Sequence, residues 1–255
     1  MFERFAMVDE QWAVLAPLIM AATRRGPKGR DDRGFFEGVR WILRTGAPWR
    51  DLPMAFGAWS CIYRRFRRWA VAGRWEALRE ALGRTGAKLS LIDSTIVKAH
   101  PHAAGALRTT GGQASQALGR SRGGMTTKIH AVVSDRGELL RFVLTAGQVN
   151  DVTQASRLLR RGEGDVVADR AYDSDALIAH AQALGLRAII PSRSHRNVIR
   201  SLDRETYRTR NVIERWFGRV KGFRRIATRY EKTSLSYAAF VVTAAFLVAL
   251  SGWRA

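Results

Sequence analysis

Through the first third of the chain, apolar side chains recur every three or four positions, the spacing of helices with one buried face. Val8 to Met20 carries Trp12, Leu15, Leu18 and Ile19 on one side, behind an acidic start at Asp9-Glu10 that suits the positive end of a helix dipole. The basic, breaker-rich stretch Arg24-Arg25-Gly26-Pro27-Lys28-Gly29-Arg30 predicts a loop. A second helix is expected from Asp32, with Phe35, Phe36, Val39, Ile42 and Leu43 inward, ending at Gly46-Ala47-Pro48. A third is expected from Ser60, a good N-cap residue. Ile62, Tyr63, Phe66 and Trp69 form its apolar side, and Arg64, Arg65, Arg67 and Arg68 fill the rest of its circumference. A fourth runs from Arg74 to Leu82.

After Lys88 the pattern becomes that of strands. Leu89 to Val97 is rich in β-branched and aliphatic residues. Ala103 to Gly124, a Gly/Ser/Thr segment with Arg108, Arg120 and Arg122, is expected to be a mobile loop. Lys128–Ser134 and Glu138–Leu144 predict a hairpin around Asp135-Arg136-Gly137. Next come a helix over Asp151–Arg161, a strand Val166-Val167-Ala168 ending at Asp169, a helix over Ser174–Leu184 and a strand over Arg187–Pro191. A long helix follows Asp203. The apolar stretch Tyr237–Leu250 is shorter than the roughly 20 residues of a spanning helix, so a buried C-terminal helix is expected. This alternation predicts an α/β fold, a mixed sheet flanked by helices over residues 85–255, with a loop at about 103–125. A small all-helical domain, residues 1–84, precedes it.

Composition sharpens the picture. Of 255 residues 46% are hydrophobic and 6 are proline, which fits an ordered globular chain. Lys+Arg number 43 against 22 for Asp+Glu, a formal charge of +21 that calls for a polyanionic partner. Nucleic acid leads and an anionic membrane surface comes second. Arginine-rich helices after a helix–loop unit suggest a helix-turn-helix-like DNA reader; a solvated basic face over a helical core is the alternative. The linker Gly46–Gly57 is longer than the usual three- or four-residue turn of that motif. A single cysteine, Cys61, excludes an internal disulfide and a cysteine-rich zinc site, and reads as a small buried residue. Met1-Phe2-Glu3-Arg4 starts no signal-type apolar run, so the expected location is the cytoplasm, on the nucleoid when bound.

The chemistry concentrates at Tyr207, Arg210, Glu214 and Lys221. On one continuous helix, at about 100° per residue, these share a narrow sector, while Val212, Ile213, Trp216, Val220 and Phe223 cluster roughly 130° away. A carboxylate flanked by a phenol and two cations suits a metal held beside a phosphate. Two further carboxylates occupy telling places: Asp93 inside the first strand and Asp169 just past a later one, where ligands of α/β sheets gather. Each acid also has a purely structural alternative. Asp93 would cap a turn, Asp169 the following helix, and Glu214 would pair with Arg210. Asp135 reads as a turn residue and Asp151 as a helix cap. Asp173 is a candidate to brace the acids, and His100, with His102, to line the site or hold phosphate.

At this point the chain resembles the DDE transposases of bacterial insertion sequences, specifically the insertion-sequence-5 family. The resemblance spans nearly its whole length. Its blocks are Gly46-Ala47-Pro48-Trp49-Arg50-Asp51-Leu52-Pro53, Tyr63-Arg64-Arg65-Phe66, Ile92-Asp93-Ser94-Thr95 and Gly119-Arg120-Ser121-Arg122-Gly123-Gly124. Ala168-Asp169-Arg170-Ala171-Tyr172-Asp173-Ser174 and Tyr207-x2-Arg210-x3-Glu214-x6-Lys221 complete the ordered set. Ala171 departs from the glycine usual there, and the Asp169–Glu214 spacing leaves no room for a large β-rich insertion.

The resemblance implies a ribonuclease-H-like catalytic fold and a triad of Asp93, Asp169 and Glu214 holding two Mg²⁺ or Mn²⁺ ions. Tyr207, Arg210 and Lys221 match the companions that grip the DNA end, with Arg64, Arg65, Arg67, Arg68, Arg120 and Arg122 as further DNA contacts. The implied activity is binding of terminal inverted repeats, nicking by hydrolysis, and joining of the freed 3′-hydroxyl to target DNA. Two ends imply a homodimer on DNA, with no membrane involved. The alternatives are a domesticated, non-catalytic DNA-binding protein and a ribonuclease-H-like nuclease.

Overall fold

The computed structural model describes residues 6–22, 31–82, 86–106, 114–121 and 123–251. The basic loop expected at residues 24–30, together with residues 107–113 (Arg108 among them) and Arg122 of the expected mobile loop, lies outside them. The remainder of that expected loop is in part regular, with a 3₁₀ turn at Ala114–Gln116 and a strand at Gly119–Ser121.

Four helices lead: α1 (Asp9–Ala22), α2 (Asp32–Thr45), α3 (Trp59–Val71) and α4 (Arg74–Leu82). The Asp31 side chain accepts from the Gly34 amide to cap α2, and Gly46, at φ +73°, takes the left-handed conformation that closes it. The stretch from Gly46 to α3 is built from two short 3₁₀ turns, Trp49–Asp51 and Met54–Phe56. Helix α3 starts two residues earlier than a Ser60 cap predicts, with Ala58 at its cap position. Phe35, Phe66, Trp69 and Trp75 pack ring against ring inside this bundle.

The sheet is mixed. β1 (Leu89–Ala99) lies at its centre, antiparallel to β3 (Gly124–Ser134), which pairs onward with β4 (Leu139–Ala146) and the short β2 (Gly119–Ser121). On its other side β1 runs parallel to β5 (Asp165–Ala168), which continues to β6 (Ala188–Ile189). A two-residue strand, β7 (Thr228–Arg229), prolongs the parallel side at the far end of β1. The expected hairpin is present, with Gly137 at φ +81°. β2 and β7 escaped the sequence because two or three residues carry no periodicity. Helix α5 (Val152–Leu158) is shorter than expected, and α6 (Asp175–Ala183) follows the expected bounds closely.

The helix expected after Asp203 is two helices, α7 (Arg204–Arg208) and α8 (Asn211–Lys221). Between them the backbone tightens: the amides of Thr209, Arg210, Val212 and Ile213 each donate three residues back, and Thr209 Oγ1 donates to the Thr206 carbonyl. Short α9 (Arg224–Ala227) and long α10 (Ser234–Leu250) complete the chain. Helix α10 is buried on nearly all sides, as its uniform apolarity requires. It joins the helical region to the sheet: Phe240 packs 4.7 Å from Phe66, Phe246 lies 6.2 Å from Phe36, and one hydrophobic core runs through both parts.

Successive β1 side chains alternate between two cores. Leu91 and Val97 face α8 and α10, and Ile92 faces the layer of α5 and α6. Asp93 shares the α8 side by this alternation. No helix among the described residues is long and apolar enough to cross a membrane.

Candidate active site

Three acidic residues on three different elements converge on one guanidinium. Asp93 comes from the middle of β1, Asp169 from the residue after β5, and Glu214 from the first turn of α8. Arg210, in the tightened segment before α8, donates through Nη2 to Asp93 Oδ2 at 3.0 Å and lies 3.8 Å from Asp169 Oδ2. Its Nη1 pairs with Glu214 Oε1. The two aspartates therefore stand within about 7 Å of each other, a span that a two-ion site bridges. Register explains the placement: Ile92 and Ala168 are parallel partners, so the next residue of each strand, Asp93 and Asp169, sits at one level of the sheet.

Burial grades across the cluster. The Asp93 side chain is 17% exposed, that of Asp169 36% and that of Glu214 54%, so the site opens toward α8. Burial pushes the Asp93 carboxyl up to about 6; the Ser94 amide and Arg210 pull it back, and Asp169 and Glu214 push it further. The structural alternatives are realised as well: Asp169 accepts from the Ala171 amide, Asp93 from Ser94, and Glu214 pairs with Arg210. Each of these uses only part of a carboxylate's acceptor capacity.

The fit to a divalent cation follows from the donors. Among the described residues no three acidic, histidine or cysteine side chains are gathered as a ready metal cage. The carboxylates instead share a guanidinium, Asp93 and Asp169 at Nη2 and Glu214 at Nη1, so all three face one cation. An all-oxygen set of this kind matches the donor chemistry of a hard ion such as Mg²⁺ or Mn²⁺.

The other expected residues take varied places. Tyr207 lines a concavity of about 620 Å³ with Asp169, Arg170, Arg204 and Arg208. The three arginines had not been singled out; Arg204 and Arg208, one turn apart and flanking Tyr207, were the available signal. Lys221 Nζ donates to the Ile96 carbonyl at 3.1 Å, and burial lowers its pKa. Arg64, Arg67, Arg68 and Arg120 are exposed. Arg65 turns inward instead, where it pairs with Asp32 and lies 4.1 Å over the Phe35 ring. That role is structural.

Asp173 is buried, and its carboxylate is clamped by the Arg193 amide, Arg196 and Arg200. Burial alone would raise its pKa, but these three partners hold it below the usual range. His100 lies past the end of β1, roughly 20 Å from Asp93 at about 3.3 Å per residue, too far to brace the acids. Cys61 is exposed, contrary to expectation, because Ile62 and Phe66 take the core side of α3. Asp151 caps nothing with its side chain; Asn150 accepts from the Val152 amide in its place. Asp151 instead accepts from Lys128 Nζ at 2.8 Å and lies 3.6 Å from His130 Nδ1.

His130 is wholly buried and bonds Thr145 Oγ1 through Nε2 at 2.8 Å. Burial lowers its pKa to about 4; Asp151 opposes the shift and Lys128 adds to it. A lowered histidine pKa makes the unfolded chain bind the extra proton between about 4 and 6.5. The contribution of His130 to stability is therefore complete above pH 6.5 and falls by about 2–3 kcal/mol as pH drops toward 4.5. Urea unfolding of the wild type and His130→Gln at pH 7.5 and 4.5 checks this: the variant loses less on acidification.

The comparisons with known proteins agree with each other. Residues 7–79 match the family described as "Putative transposase of IS4/5 family", and residues 84–248 match the "Transposase DDE domain". A Brucella ovis protein named "Putative transposase for insertion sequence element IS6501" is 42% identical over 127 residues, 49% of this chain and 98% of its own length. An uncharacterized Sinorhizobium fredii protein is 38% identical over 112 residues, covering 43% of this chain and 89% of its own. A Burkholderia cepacia protein named "Putative transposase for insertion sequence element IS402" is 33% identical over 128 residues, 45% of this chain and 58% of its own. No solved structure matches.

Proposed function

Since this chain belongs to the DDE transposases of insertion sequences, we propose that Asp93, Asp169 and Glu214 are its catalytic carboxylates and that it cuts and joins DNA at the ends of its own element. The observation that carries this reading is the convergence of the three acids, from β1, the end of β5 and α8, on the Arg210 guanidinium. The sheet supports a ribonuclease-H-like catalytic fold over residues 85–255: three antiparallel strands continue into two parallel ones. The helical part, residues 1–84, then serves as the DNA-binding domain, and its shared core with α10 makes it move with the sheet.

The carboxylates would hold two Mg²⁺ or Mn²⁺ ions. Bound there, such ions activate the attacking oxygen and steady the leaving one. The protein's own side chains position the DNA. Arg210 moves from the acids to a phosphate, which it grips with directional bonds. Tyr207, Arg170, Arg204 and Arg208 cradle the backbone beside Asp169. Lys221 and the exposed Arg64, Arg67, Arg68 and Arg120 extend the contact. The nucleophile is water for nicking and the freed 3′-hydroxyl for joining, so no covalent enzyme intermediate is needed. Joining two ends brings two copies of the chain together on DNA.

A supercoiled plasmid carrying the DNA that flanks the coding region, incubated with Mg²⁺, tests this. End-specific 3′ nicks and strand joining are expected. Binding without cutting would indicate a retired, regulatory protein, and cutting governed by DNA structure alone would indicate a nuclease.

A further inference from the structure

Two sequence blocks that the acids leave unused, Gly46–Pro53 and His100-Pro101-His102, meet across one groove of about 1290 Å³. Its walls are the turns before α3, the first half of α3, the segment after β1 and the residues after β7. Trp49, Trp59, Tyr63 and Tyr230 bring aromatic rings, all only partly buried. Trp49 is the fixed floor, 5.3 Å from Tyr63, 5.2 Å from Phe66 and 5.9 Å from Phe240. The His100 ring stacks on Tyr230 at 4.8 Å, and Arg50 lies 5.7 Å over Trp59. Arg50, Arg67 and Lys232 are exposed at the rim. The acid in the wall, Glu231, is buried against Arg225 at 2.9 Å and offers no free charge.

We infer that this groove binds unpaired DNA, a few nucleotides at a time. Partly exposed rings beside exposed cations form a stacking platform with a phosphate track once Arg50 yields the face of Trp59 to a base, Tyr230 being held between His100 and Arg225. Only unpaired bases present their faces to such a platform. Charge decides against an acid-free apolar segment, because cations rim the groove while its carboxylate is neutralised. Size decides against one small ligand, for which about 300–1,000 Å³ suffices. Position adds a third argument. The groove opens at the end of β1, roughly 20 Å from Asp93, a distance that a DNA strand of several nucleotides with a phosphate at the acids spans.

The inference rests on the proposed action on DNA, but its test needs no cleavage. The full chain in EDTA is titrated into fluorescently labelled octathymidylate and an eight-base-pair duplex, followed by anisotropy. Octathymidylate is expected to bind more tightly than the duplex. Trp59→Ala should weaken it about ten-fold by loss of one stacking partner, and Lys232→Gln, at an exposed site that cannot disturb folding, about two- to three-fold. Because the titration contains no divalent ion, absence of end cleavage by this protein would leave the groove standing. Equal octathymidylate affinity of wild type, Trp59→Ala and Lys232→Gln overturns the inference, as does a duplex bound as tightly as the single strand.

Discussion

Asp93→Asn is expected to reduce end cleavage by at least about 10²–10³-fold, the scale of removing one preorganised charge contact from a transition state, while DNA binding stays within about two-fold. The substitution is nearly isosteric. Asn keeps an oxygen to accept from the Ser94 amide, which the carboxylate accepts at 2.7 Å. What it loses is the charge at the most buried of the three acids, the one that faces Arg210 at 3.0 Å. Folding should tolerate the change, because burial pushes Asp93 up to about 6 and makes its ionised form costly in the folded state. Plasmid nicking and a filter-binding isotherm on the same preparation separate the two effects. Nicking above about a tenth of the wild-type rate would remove Asp93 from the chemistry, since a charge contact of this kind contributes far more.

The second large effect concerns Arg210. Without a divalent ion, Arg210→Ala leaves Asp93, Asp169 and Glu214 facing one another with no cation between them. Like charges at this separation repel, and removing one partner of a fully buried pair costs about 3–5 kcal/mol. The Arg210 and Asp93 side chains retain 18% and 17% exposure, so solvent reduces the loss to about 2 kcal/mol, or about 5 °C in Tm for a chain of this size. Mg²⁺ should restore it, because an ion that binds only the folded state stabilises by mass action. The wild type should gain less at the same Mg²⁺ concentration, since Arg210 competes for the same oxygens. Arg210→Lys should fall between, because an ammonium cannot bridge three carboxylates as the planar fork does. Thermal melts of the three proteins with and without Mg²⁺ decide the matter. Equal Mg²⁺ gains in wild type and Arg210→Ala would show that Arg210 does not occupy the cation's place.

Much of this architecture was legible along the chain. Helices α2 and α4 and the β3–β4 hairpin follow from local signals: apolar spacing, an aspartate cap, a glycine stop and a turn tripeptide. Asp93 and Asp169 could be picked out because one lies inside a β-branched strand and the other just past a strand end, where ligands of α/β sheets gather. The ordered motif blocks pointed to the family before any geometry was available, and the family matches agree.

Local pattern determines which segments become helix or strand and which side of each is apolar, since those preferences act over a few residues. It carries no record of what stands opposite. Four arginines on α3 look alike in sequence, yet Asp32 and the Phe35 ring draw Arg65 inward and leave Arg64, Arg67 and Arg68 in solvent. Asp151 sits at a cap position but turns to Lys128 and His130 because β3 passes beside it. The turn at Thr209–Arg210 places Arg210 between three acids that span 121 positions of the chain, from 93 to 214. Only packing of β1, β5 and α8 against one another brings those charges into a single field, because Coulomb forces depend on distance in space and not along the backbone.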